Sequence, residues 1–92
     1  MKAVWQETVI ADSDDIIVLE GDVYFPPESV NARFLEESHT LSSSDSKGDA
    51  MYYNLVIGRE RAEDGAWSYL APTEQARHIQ HYIAFWKGVE IR

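Results

Sequence analysis

His78 and His81 stand three residues apart, a spacing that brings two imidazoles together on one helix face. Zinc would still need a third protein ligand, and two solvated histidines on a polar face account for the pair without a metal. Asp12-Ser13-Asp14 has the form of a metal-binding D-x-D pair, yet it falls where a hairpin turn belongs, and turn chemistry explains it. Glu36, Glu37, Asp45 and Asp49 place four carboxylates around one Ser-rich stretch, without the regular spacing that wraps oxygens about a calcium ion. Ser42-Ser43-Ser44 has no G-x-S-x-G elbow, and Lys47-Gly48 lacks the upstream glycines of a phosphate-binding loop. These patterns assign no catalytic residue, no metal ligand and no cofactor.

The aromatic residues point to different chemistry. Three Trp, five Tyr and three Phe are more than a small core must contain, and Tyr and Trp bury a ring while offering a polar tip. The expected site is therefore a small-molecule pocket whose polar edge comes from Tyr24, Lys47, Tyr52, Trp67 and Tyr69. Lys47 is the only base between Arg33 and Arg59. It either neutralises Glu36, Glu37, Asp45 and Asp49 or leans over the pocket to receive an anionic group of the ligand. Trp67, the largest apolar group between two turn signals, is expected to be buried.

The positioning elements must come from 92 residues, enough for one domain spanning 1–92 and not for two. Hydrophobic residues make up 45% of the chain, which excludes a disordered or low-complexity class. With no cysteine there is no disulfide, thiolate zinc site or catalytic thiol. No apolar run approaches the roughly 20 residues of a membrane span, and Glu7 comes too early for a signal peptide, so a soluble cytoplasmic protein is expected. The net charge is -8, and residues 12–49 carry ten acids against Arg33 and Lys47. Phosphate neutralisation needs clustered Lys and Arg, so nucleic acid is not an expected partner, and anionic membrane is excluded by the same repulsion. The acidic face keeps a small protein soluble, or it serves as an interaction surface for a cationic protein partner. As an oligomer, the chain is expected to be a monomer or homodimer.

Residues 3–5, 8–11, 16–19 and 23–25 are rich in β-branched and aromatic types, with turn residues between them, and read as an antiparallel meander. Pro26-Pro27 ends it, with a helical turn near 27–31 and a short strand over 33–36. The Ser-rich, acidic stretch 38–49 reads as the longest loop, mobile and the first cut by a protease. Residues 50–57 and 66–70 read as strands, with a turn at Glu63-Asp64-Gly65. Ala76, Ile79, Ile83 and Trp86 recur at helical spacing behind an N-cap at Thr73, which predicts a helix over 73–86; a strand beginning at Tyr82 competes with it. The fold class is α+β, mainly β: six to eight curled antiparallel strands with one C-terminal helix.

Four blocks carry a resemblance: residues 24–30 (YFPPESV), 47–53 (KGDAMYY), 66–69 (AWSY) and 82–90 (YIAFWKGVE). Together they resemble domain-of-unknown-function family 427 over nearly the whole chain. The resemblance implies a compact, mainly β single domain of bacterial and fungal proteins. Members typically carry Cys-Pro-Trp/Tyr-Lys-Gly where this sequence has Ser44-Asp45-Ser46-Lys47-Gly48, so no role of that cysteine transfers here. The family sometimes bears the label nucleotidyltransferase-like. Nucleotidyl transfer usually needs Gly-Ser ahead of a D-x-D pair, and Asp12-Ser13-Asp14 has none.

Overall fold

The alternating runs become strands in the computed structural model, which describes residues 1–92. They are β1 (Lys2–Trp5), β2 (Thr8–Asp12), β3 (Ile17–Leu19), β4 (Asp22–Tyr24), β5 (Leu35–Ser44), β6 (Gly48–Ile57), β7 (Glu60–Pro72), β8 (Ile83–Phe85) and β9 (Glu90–Ile91). They form an antiparallel sheet in the order β5-β6-β7-β8, a second sheet β2-β1-β9 and a ribbon β3-β4. None of the sheets closes into a barrel. No helix is long and apolar enough to cross a membrane.

Two bridges join the parts. Phe25 N–H donates to the Ile83 carbonyl at 2.8 Å and Ile83 N–H returns the bond at 2.9 Å, which ties the ribbon to β8. Asn31 N–H donates to the Ile10 carbonyl at 2.9 Å, beside a bridge between Ala11 and Val30. The result is a compact, mainly β domain.

Successive side chains of a strand point to opposite faces, and this period decides where the core lies. Phe25 after β4, Leu55 on β6, Ala66 on β7, and Ile83 and Phe85 on β8 enter one buried cluster with Trp5, Ile10 and Val30. Residues of the opposite parity, Tyr24, Ala50, Tyr69 and Ala84, enter a second cluster, completed by Ala76 and Ile79. Tyr52 and Trp67 pack half-buried against that second group.

Several expectations are corrected. The helix over 73–86 is absent. A 3-10 turn spans Glu74–Ile79, Gln80 turns extended, His81 takes a φ of 68°, and the chain re-enters the sheet as β8. The competing strand reading of the Tyr82 run is the one that forms, because a continuous apolar segment can be covered on both faces as a strand. Ile83, Ala84 and Phe85 are all buried.

The stretch 38–49 is not a loop. It is the outer half of the β5-β6 hairpin, in which Ser42, Ser43 and Ser44 pair with Ala50, Asp49 and Gly48. Ladder bonds and side-chain hydroxyls replace apolar burial: Ser43 Oγ donates to Asp49 at 2.7 Å, and Ser42 Oγ lies 3.0 Å from the Tyr52 hydroxyl.

The expected strand over 33–36 begins only at Leu35, after a 3-10 turn at Ala32–Phe34; the helical turn near 27–31 is a 3-10 turn at Pro27–Ser29. The meander divides, since β1-β2 and β3-β4 belong to different sheets. β9, too short to carry a period of its own, pairs with β1.

Glu63-Asp64-Gly65 is a bulge within β7 rather than a turn between strands. Ala62 pairs with Leu55 and Ala66 with Tyr53, so three residues oppose Asn54 alone. Asp64 adopts a φ of 55°, and its N–H is taken by Asn54 Oδ1 at 2.9 Å. Its carboxylate receives Ser38 Oγ at 2.5 Å and Thr40 Oγ1 at 2.8 Å from β5. These two hydroxyls hold the Asp64 carboxyl below the ordinary aspartate range. A carboxyl whose folded pKa lies below its unfolded value contributes stability above the unfolded value, and that contribution is lost as pH falls through the folded one. The melting temperature should therefore fall as pH drops below about 4, where an ordinary aspartate protonates. Asp64→Asn should flatten this acid limb relative to the parent in melts followed by circular dichroism. Parallel acid limbs in the two proteins would count against the hydroxyl pair.

Candidate functional site

Strand parity that sends Phe25 and Ala66 to the core sends their neighbours to the other face. Tyr24 on β4, Tyr52 on β6, and Trp67 and Tyr69 on β7 converge there around a cavity of about 340 Å³. Lys47, in the β5-β6 turn, reaches its edge, so all five residues expected at a pocket line the same one.

Trp67 is the central wall. It packs edge-on against Tyr24, ring centroids 6.3 Å apart at 90°, and its Nε1 donates to the Tyr24 hydroxyl at 3.3 Å. Its burial is partial rather than complete, because one side of the indole faces the cavity.

Two lining residues were not anticipated. Trp86 follows β8 with the parity of Ala84, so it faces the cavity and closes a second wall, 6.0 Å from Trp67 at 85°. Its Nε1 donates to the Asp64 carbonyl and its N–H to the Gly65 carbonyl at 3.0 Å, so the β7 bulge holds this wall in place. In sequence, Trp86 fits the apolar stripe of the expected helix, and its exposure of 48% becomes visible only in the folded chain. Asp22, the first residue of β4, shares the parity of Tyr24 and also lines the cavity. Its position two residues before Tyr24 in one strand is the signal that would have found it.

Lys47 has a partner absent from the expected set. Its ammonium is engaged by Glu20, at the tip of the β3-β4 ribbon, and not by the acids of its own hairpin. That hydrogen bond raises the Lys47 pKa, so the residue is a cation throughout the neutral range. Burial raises the Tyr24 and Tyr69 hydroxyls, against the lowering effect of the Trp67 hydrogen bond on Tyr24 and of the Lys47 charge on Tyr69. Both are neutral phenols near pH 7, able to donate as well as accept a hydrogen bond.

The remaining candidates lie elsewhere. His78 belongs to the 3-10 turn and His81 follows it, both exposed. Asp12 ends β2, and Asp14 meets the terminal amine of Met1 at 3.4 Å. Glu36 pairs with Arg61 at 2.7 Å, Asp49 accepts from Ser43, and no group of three His, Asp or Glu side chains is gathered closely enough to hold a metal ion.

The cavity gathers aromatic rings, phenol hydroxyls, one carboxylate and one ammonium on a single concave surface. No curated protein matches this sequence. A family model described as a domain of unknown function, DUF427, matches residues 1–91, and with nearly every residue inside that match the chain belongs to the DUF427 family.

Proposed function

We propose that this protein binds a small molecule in the Tyr and Trp cavity, with Tyr24, Tyr52, Trp67 and Tyr69 contacting it and Lys47 at its polar edge. One observation carries the reading. Rings from three strands and the segment after β8 surround about 340 Å³ of space instead of filling it, and Trp86 stays 48% exposed at the rim. That volume lies at the lower end of the range for ligand pockets, about 300–1,000 Å³. A ligand seated there would cover apolar surface of Trp86 that now faces water. The Glu20 ion pair matches the charge of Lys47, so its contribution is a hydrogen-bond donor and a fixed rim rather than a free positive charge.

Protein purified from its host should carry a small adduct in native mass spectrometry, and Trp67→Ala should lose it. Because Trp67 is a half-buried wall, its truncation should cost about 2 kcal/mol, roughly half the loss for a fully buried Trp. A folded Trp67→Ala protein that retained the same adduct would end the proposal.

A further inference from the structure

The charge and ring arrangement of the cavity select a class of ligand. Two pairs of lining rings stand nearly perpendicular, Trp67 to Trp86 at 85° and Trp67 to Tyr24 at 90°. Rings so placed present walls at right angles, and the negative face of an aromatic ring attracts a weakly hydrated cation. Trp86 already shows this property within the chain, since the Lys87 ammonium lies 5.2 Å from its centroid.

The local charges point the same way. Lys47 is the lining cation, and Glu20 matches it. Asp22 is the lining carboxylate, and no cation pairs with it. Its charge reaches both Tyr24 and Tyr69, where it adds to the rise of their hydroxyls. An anionic ligand would have to replace Glu20 at Lys47, losing that ion pair, and would be repelled by Asp22. A cation meets one unmatched carboxylate and the rings of Trp67 and Tyr24, against the charge of Lys87, which lies over Trp86 and donates to the Glu63 carbonyl.

Resting on the reading that this cavity is a ligand site, we infer that it takes a small organic cation, a methylated ammonium group seated between Trp67, Trp86 and Tyr24 with Asp22 as its counter-charge.

The test compares choline with 3,3-dimethylbutan-1-ol, the neutral molecule of the same shape, with indole as an uncharged aromatic probe. Binding is read from the Trp67 and Trp86 indole N–H signals in NMR titrations of the intact chain. Choline should bind at least tenfold more tightly than its neutral isostere. Asp22→Asn should weaken choline about threefold or more while leaving the isostere unchanged and the melting temperature close to the parent. Lys47→Met leaves the Glu20 carboxylate unmatched at the rim, so it should raise the preference for choline over the isostere; a fall in that ratio, with the fold intact, would overturn the cation reading. Equal or tighter binding of the neutral isostere would also overturn it and leave the cavity as a binding site for uncharged molecules. If choline, the isostere and indole all leave both indole signals unmoved, the cavity reading falls together with the cation.

Discussion

Phe25→Ala is expected to lower the melting temperature by roughly 12–40 °C, enough to leave much of the protein unfolded at 37 °C. Phe25 is fully buried, and its ring meets Phe85 edge-on at 5.8 Å. Its backbone exchanges both hydrogen bonds with Ile83, the bridge that holds the β3-β4 ribbon on the main sheet. The backbone cannot move in to close the space left by the ring, so the variant bears the full penalty of a cavity, about 3–5 kcal/mol. A chain of this size has about 5–14 kcal/mol of stability in all. Thermal melts followed by circular dichroism settle the point. A melting temperature within about 5 °C of the parent would mean that the ribbon does not depend on this contact.

Gly48→Ala should also destabilise the fold strongly, and it should disturb the cavity as well. Gly48 begins β6 with a φ of +101°, a conformation that side chains rarely adopt. A Cβ there would stand 3.1 Å from the Ala71 carbonyl oxygen, 3.2 Å from Pro72 Cα and 3.2 Å from Thr73 N. All three are backbone atoms, so no side chain can swing aside, and the end of β7 must move. The backbone conformation alone costs about 1–3 kcal/mol, and the displacement adds to it. A fall of roughly 10 °C or more in melting temperature is expected.

Lys47 precedes Gly48, and the Lys47 carbonyl accepts from Thr73 N–H at 3.0 Å, so any ligand affinity of the cavity should fall too. Gly58 supplies the contrast. Its φ is +57°, a region that Gln6 and Glu7 also occupy, and a Cβ would meet nothing within 4 Å. Gly58→Asn should therefore melt within a few degrees of the parent. Equal losses at the two glycines would show that the β7 contact does not distinguish them.

The fold class and much of the candidate site are legible in the residues alone. β-branched and aromatic runs at period two are local properties, and they place β2, β4, β6 and much of β7 wherever the rest of the chain goes. The surplus of Tyr and Trp marked Tyr24, Tyr52, Trp67 and Tyr69 as more than core; parity puts Tyr52, Trp67 and Tyr69 on one face of the main sheet, and the ribbon brings Tyr24 to the same cavity. Three features depend on contacts between segments that no local pattern links.

The run from Tyr82 to Trp86 suits a buried helix or a buried strand equally, and the choice fell to the hydrogen-bonding edge that β7 offers at Ala66, Trp67 and Ser68. The Ser-rich half of β5 carries no apolar period, because it is exposed and held by its ladder to β6 and by hydroxyls reaching Asp49, Tyr52 and Asp64. Trp86, which meets Trp67 and Asp64, and Glu20, which meets Lys47, come from segments far apart in the chain from those they meet. Local pattern records what a residue requires of its surroundings. Which distant segment meets that requirement depends on how the sheets pack, a property of the whole chain that no window of neighbouring residues contains.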